Sequence, residues 1–150
     1  MNVDGPAAMR ALSTFLVANF GTSVIYETEL RCGNRGLCKA EAASSVGKAN
    51  ASARRETLRQ EFFAGQQGVR VGNRSSSVTC DATDCRVRGA SRFVQIKEPV
   101  MQGDTAVVAL HVYENAAKNL VIRSYRVKMM NAHSKWSVLS MERLGFSTGS

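Results

Sequence analysis

The sequence is poor in proline and has no long apolar run. Two prolines in 150 residues exclude a proline-rich linker or a collagen-like repeat. The most apolar stretch, residues 11–25, is interrupted by serine, threonine, asparagine and glycine. It therefore falls short of the roughly 18 consecutive apolar residues of a membrane-spanning helix. We expect no transmembrane segment.

Motifs for catalysis or cofactor binding are scarce. The chain has two histidines and no clustered carboxylates, which is not the pattern of a metal enzyme. Gly47 and Lys48 lack the upstream glycine of a phosphate-binding loop, and no serine lies in a nucleophile elbow. We expect neither a metal nor a cofactor.

The composition is typical of a folded domain. Hydrophobic residues make up 44% of the 150 residues and charged residues 21%. This balance supports a core and is not that of a disordered chain. The length matches one ordinary domain, so we treat residues 1–150 as a single domain.

Positive charge is in excess and evenly spread. The chain has 20 Lys and Arg against 12 Asp and Glu, a net charge of +8. Residues 1–75 carry ten basic and six acidic side chains, and residues 76–150 carry the same numbers. An even excess favours loose attraction to anionic surfaces. It does not favour nucleic-acid binding, which concentrates its charge on one patch.

The four cysteines form two close pairs, Cys32 with Cys38 and Cys80 with Cys85. This arrangement favours two small disulfide loops. The second pair is the stronger case, because residues 77–88 read as a hairpin that places the two cysteines opposite each other. A four-cysteine zinc site is less favoured, since neither pair has two-residue spacing. Free buried cysteines of a cytosolic protein remain an alternative.

The expected disulfides predict an oxidising, extracytoplasmic compartment, either periplasmic or secreted. Residues 1–8 are acidic and small, so we do not expect them to belong to a signal peptide. A secreted protein without its signal peptide, to which an initiator methionine had been added, would begin in this way. A cytoplasmic protein would also begin in this way, so a cytoplasmic location stays open.

Hydrophobic periodicity changes along the chain from helical to strand-like. Residues 6–20 and 50–63 have helical spacing, whereas residues 22–30 fit a strand or a continuation of the first helix. After Gly68 the period is two, and we expect strands at 69–71, 78–80, 85–87, 93–96, 105–113, 120–130 and 135–142. This order predicts an α+β fold in which N-terminal helices pack on a curved antiparallel β-sheet.

The strand at 105–113 has two separable faces. Alternation assigns one face to Val107, Ala109, His111 and Tyr113, and the other to Ala106, Val108, Leu110 and Val112. Both faces are apolar apart from His111 and Tyr113. We therefore expect this strand to be central in the sheet.

Three segments carry a resemblance to a known superfamily. They read Gly-Asp-Thr-Ala-Val-Val at 103–108, Tyr-Arg-Val-Lys at 125–128 and Lys-Trp-Ser-Val at 135–138. Over about residues 85–145 the chain resembles the nuclear-transport-factor-2-like superfamily, whose cone-shaped α+β fold is shared with ketosteroid isomerase. The resemblance implies such a cone. The superfamily includes enzymes, small-ligand binders and assembly domains of secretion machines, so the fold does not fix the function.

His111 and Tyr113 are the candidates for a polar lining of such a cone. Histidine can act as a base near neutral pH, and tyrosine can donate a hydrogen bond to an oxyanion. A site like that of ketosteroid isomerase also needs a carboxylate, and Glu98 and Glu114 lie near strand ends. The alternative, which we favour, is that both residues are ordinary interior or interface polar groups.

A basic stripe is the other candidate site. Arg86, Arg88, Arg92, Arg126 and Lys128 would line up if their strands were neighbours. Such a stripe would suit an acidic partner or a phosphate-bearing polymer. A solvated sheet face is the plain alternative, and the sequence alone favours it.

These observations lead to one main hypothesis and one alternative. The main hypothesis is a non-enzymatic binding or assembly domain outside the cytoplasm, within an envelope or secretion assembly, that binds a protein partner or a small apolar ligand. The alternative is a cone-fold enzyme that performs proton transfer or hydration on a small apolar substrate. Exposed strand edges leave a homodimer open.

Overall fold

The computed structural model describes residues 4–27, 30–64, 66 and 68–149. The helices are α1 (Asp4–Phe20), α2 (Arg35–Ala42), α3 (Ser45–Phe63) and α4 (Arg74–Ser77). The strands are β1 (Val24–Glu27), β2 (Arg70–Gly72), β3 (Val78–Cys80), β4 (Cys85–Val87), β5 (Arg92–Ile96), β6 (Val100–Gln102), β7 (Thr105–Asn115), β8 (Leu120–Ala132) and β9 (Lys135–Gly149).

The main sheet has seven strands in the order β2-β1-β5-β7-β8-β9, with β6 paired to β7. It is mostly antiparallel, and β7 is central as expected. The predicted α+β class is confirmed. The prediction of an antiparallel sheet is wrong at one edge, where β1 runs parallel to both β2 and β5. The reason is that α2 and α3 form a crossover between β1 and β2, and a crossover connection permits parallel pairing.

The helices extend beyond their predicted bounds. α1 begins at Asp4 instead of residue 6 and ends before Gly21, whose φ of +85° suits a glycine after a helix. α3 begins five residues earlier than predicted, because Ser44 caps it by accepting a hydrogen bond from the Gly47 amide. α2 has no buried residue, so hydrophobic periodicity did not predict it. Among the described helices, none has the length and hydropathy needed to span a membrane.

The space between the helices and the sheet is filled by apolar side chains. Leu12 and Leu16 of α1 are fully buried, as are Val108 and Leu110 of β7. The predicted division of β7 into two faces is confirmed, because the even-numbered positions from 106 to 112 are all buried in this core. We call the side of the sheet that carries these residues the helix face, and the opposite side the open face.

A second, smaller core covers one end of the open face. The β3–β4 hairpin packs there, and the cluster consists of Ile25, Val78, Cys85, Val87, Phe93, Tyr113 and Leu120. Asn115 fixes the hairpin from β7, because its side chain both accepts from the Val87 amide at 2.8 Å and donates to the Val87 carbonyl at 3.0 Å. The hairpin therefore belongs to the folded unit although it lies outside the main sheet.

Both expected disulfides are confirmed. Cys32 is bonded to Cys38 across the loop before α2, and Cys80 is bonded to Cys85 across the β3–β4 hairpin. Cys80 and Cys85 are directly opposite in the ladder, with a Cα–Cα distance of 4.0 Å. The zinc and free-thiol alternatives are therefore wrong.

Replacing Leu110 with Ala tests which face of β7 is in the core. Leu110 is fully buried, so Leu110→Ala is expected to lower the free energy of unfolding by about 2–5 kcal/mol. Leu139 is 58% exposed, and Leu139→Ala is expected to change it by less than about 0.5 kcal/mol. Urea unfolding of both variants measures this contrast. Equal losses would contradict the burial of Leu110, and with it the placement of the even-numbered face of β7 in the core.

Candidate functional site

The open face beyond the hairpin is built from rows of residues that lie side by side on neighbouring strands. In one row, His111 of β7 lies between Gln95 of β5 and Ser124 of β8. In the next row, Ala109 lies between Lys97, whose amide donates to the Ala109 carbonyl, and Arg126. We call the surface formed by Lys97, Val107, Ala109, His111, Ser124, Arg126 and Lys128 the basic channel.

The basic channel is a patch of the sheet surface whose small apolar centre, which we call its floor, is flanked by cations. Val107 and Ala109 are half-buried in the floor. Lys97 lies beside the floor on the β5 side, and Arg126 and Lys128 lie on the β8 side. Such a floor can accept apolar groups while the flanking cations attract negative charge.

The cations of the basic channel lack ion-pair partners among the described residues. No carboxylate of a described residue lies within 4.0 Å of Lys97, Arg126 or Lys128. Glu142 of β9 is in register with Arg126 but forms no ion pair with it. As far as the described residues go, the three positive charges are therefore available to a molecule that approaches the open face.

His111 is a half-buried neutral group at the end of the basic channel. Its Nδ1 atom is 2.9 Å from the Ser124 hydroxyl oxygen. Burial lowers the pKa of His111, and the nearby Lys97 ammonium lowers it further. The neutral imidazole is therefore favoured at neutral pH. It can donate or accept a hydrogen bond, according to its tautomer.

Tyr113 lies on the same face as His111, as the sequence predicts, but it is covered by the hairpin. Its ring packs edge to face on Phe93, with centroids 5.6 Å apart. Its hydroxyl accepts from Arg74 Nε at 3.2 Å and donates to Gln95 Oε1 at 3.5 Å. The side chain is 6% exposed, so its role in this structure is to support the second core.

The two carboxylates considered with these residues are held elsewhere. Glu114 continues the even-numbered positions of β7, so it lies on the helix face. There it forms ion pairs with Arg92 at 3.4 Å and Arg123 at 2.5 Å. Glu98 is bound by two arginines of α3. The structure therefore does not bring either carboxylate together with His111.

The five residues of the expected stripe do not form one surface. Arg126 and Lys128 lie together on the open face, two positions apart on β8. Arg92 is on the helix face, where its guanidinium lies 5.8 Å from the centre of the Phe20 ring. The condition of neighbouring strands is not met for Arg92, because β7 separates β5 from β8.

Arg86 and Arg88 are engaged in holding the hairpin. Arg86 Nε donates to Asp84 at 2.9 Å, and its terminal nitrogens donate to backbone carbonyls in the β7–β8 turn. Arg88 donates to the Thr79 hydroxyl at 2.8 Å across the same hairpin. Lys97, which the sequence analysis missed, lies on the open face across Ala109 from Arg126. Its position two residues after Gln95, at the end of β5, was the available signal.

A network of charges that the sequence analysis also missed joins α2, α3 and the segment after β5. We call Glu41, Arg54, Arg55 and Glu98 the charge network. Arg54 Nε is 2.5 Å from Glu98 Oε2, Arg55 Nη2 is 2.6 Å from Glu41 Oε2, and Arg54 also pairs with Glu41. Hydrogen bonding to Arg54 holds the pKa of Glu41 below its usual range. These residues are far apart in sequence, so no local motif reveals them.

Within the described part of the chain, no three His, Cys, Asp or Glu side chains come together as a metal site. The chain has no significant match to a protein-family model, to a curated protein or to a solved structure. The functional argument therefore depends on the geometry of this molecule.

Replacing Lys97 with Gln tests the electrostatics of the basic channel. Because the Lys97 ammonium disfavours a protonated imidazole, Lys97→Gln is expected to raise the pKa of His111. Lys118→Gln, in the β7–β8 turn, removes the same charge and is expected to leave that pKa unchanged. NMR titration of the His111 ring measures both. An unchanged or lowered pKa in Lys97→Gln would contradict the placement.

Proposed function

We propose that this protein is a non-enzymatic binding domain that works outside the cytoplasm and engages an acidic protein partner through the basic channel. The observation that carries the proposal is the set of cations, Lys97, Arg126 and Lys128, that surround an apolar floor without ion-pair partners in the described chain. Charge complementarity of this kind steers association and fixes the orientation of a partner.

The apolar floor favours a protein partner over a nucleic acid. Val107 and Ala109 offer contacts to aliphatic side chains. Single-stranded nucleic acids bind instead on aromatic side chains that stack with the bases. None of the residues of the basic channel is phenylalanine, tyrosine or tryptophan.

The proposed fold family is the nuclear-transport-factor-2-like superfamily. The order of elements supports it, because N-terminal helices precede a mostly antiparallel sheet that contains all three resembling segments. In this proposal residues 1–150 act as one domain, and the domain serves an envelope or secretion assembly. Two disulfides support the extracytoplasmic part of the proposal, because such bonds persist in oxidising compartments.

The enzyme alternative finds less support in the geometry. It needs His111, Tyr113 and a carboxylate in one cavity. Both residues lie on the open face, Tyr113 is covered by the hairpin, and Glu114 is paired with Arg92 and Arg123. This arrangement favours binding over proton transfer.

A charge-reversal pair tests the basic channel with a fluorescein-labelled polyglutamate peptide as the probe. Arg126→Glu with Lys128→Glu is expected to weaken binding about tenfold or more, because the peptide would face like charge. Fluorescence anisotropy at low and at physiological salt measures the affinity. The control is Lys39→Glu with Lys48→Glu, which changes the net charge equally on α2 and α3 and is expected to change the affinity much less.

Two results would contradict the proposal. Equal weakening in both double variants would show that only net charge attracts the peptide. Tighter binding of an oligothymidine of equal charge, lost in the same channel variant, would assign the surface to nucleic acid.

The compartment is tested by alkylating thiols in freshly isolated protein that has been unfolded without reductant. Both disulfides are expected to be present, so the mass should not increase. A reduced sample provides the control and should gain one alkyl group for each of the four cysteines. Full alkylation without reductant would place the protein in a reducing compartment.

A further inference from the structure

Two adjoining clefts lie where the Cys32–Cys38 loop meets the segment after β5. The larger has a volume of about 320 Å³ and is lined by residues that include Gly33, Leu37 and Val100. The smaller has a volume of about 150 Å³ and lies between the start of α1 and α3. Both clefts share Arg54, Glu98, Pro99 and Met101, so we treat them as one groove.

The charges in the wall of the groove already neutralise each other. Arg54 and Glu98, which line both clefts, are paired at 2.5 Å. Arg55 and Glu41 complete the charge network through three further ion pairs, Arg54–Glu41, Arg55–Glu41 and Arg55–Glu98. Two cations therefore face two anions, and the network has no excess charge to offer to an ionic ligand.

The groove is held in shape by covalent and backbone contacts. The Cys32–Cys38 disulfide closes the loop that forms one wall. Gly33 approaches the other wall so closely that a Cβ atom there would lie 2.2 Å from the Glu98 carbonyl oxygen. The Glu98 amide also donates to the Arg31 carbonyl at 2.7 Å. A preformed groove loses little conformational freedom when a ligand binds.

An apolar side chain at the rim of the groove is exposed to solvent. Leu37 is 47% exposed on α2, a short helix that has no buried residue. It lines the larger cleft together with Val100 and Met101. A molecule in the groove would remove this leucine from water, which is favourable in proportion to the apolar area that is buried.

We propose that this groove binds a small neutral apolar molecule, about the size of one fused aromatic ring system. The larger cleft alone is within the roughly 300–1,000 Å³ range of ligand pockets. The ligand is neutral because a charge buried against an already neutral network would lose hydration without gaining a partner. This site adjoins the basic channel, because Val100 lines the groove and is in register with Val107. None of the residues of the basic channel lines the groove, and the proposal does not depend on the acidic partner.

Indole is the probe, and two charged relatives with the same ring serve as comparisons. Titration into the ¹⁵N-labelled full chain is expected to shift the amide signals of Leu37, Thr57 and Met101. Indole-3-acetate and tryptamine are expected to have an affinity at least about tenfold lower than that of indole, because each adds a charge without a partner in the groove.

Two matched variants locate the site. Leu37→Asp adds a charge at the rim, and it is expected to weaken indole binding about tenfold. Val46→Asp makes a similar change, since Val46 is also an exposed apolar residue in the first turn of its helix. It is expected to leave the affinity unchanged. Both positions are exposed, so both variants should fold, which circular dichroism checks.

Two results would overturn the proposal. The first is equal or tighter binding of either charged relative. The second is a set of indole-induced shifts near Trp136 of β9 in place of those at the groove.

Discussion

The strict alternation of side chains along β7 is the constraint on which the rest of the structure depends. Its even-numbered positions are buried against α1, and its odd-numbered positions line the open face. A shift of one residue would exchange the two sets and place Val108 and Leu110 in water. The filled core, the seat of the hairpin and the basic channel all follow from this single register.

The fold was more predictable from the sequence than the candidate site. Periodicity identified α1 and β7, because each of them buries one regular face. β8 and β9 were also predicted, although they bury fewer of their residues. The close cysteine pairs were correctly predicted as disulfides for a local reason, since each pair lies within one short loop. α2 and the parallel pairing of β1 were missed, because the first is exposed and the second depends on a distant strand.

The site depends on contacts between residues that are far apart in sequence. The sequence predicted that Arg92 and Arg126 share one stripe. In the structure β7 lies between their two strands, and alternation places the two side chains on opposite faces of the sheet. Sequence reasoning could not find that Lys97 and Arg126 lie on either side of Ala109, because that arrangement requires the order β5-β7-β8. The charge network illustrates the same limit. Glu41 and Glu98 are far apart in sequence, and only the tertiary fold brings both of them to Arg54 and Arg55.

The disulfides have a consequence for how the chain assembles. Each bridge joins cysteines only six or five positions apart, so neither connects the helical half of the molecule to the sheet. Closing such short loops removes little freedom from the unfolded chain. Core formation can therefore precede oxidation, and each cysteine finds its correct partner as its nearest thiol. This chain should mature without an isomerase to reshuffle mispaired bonds.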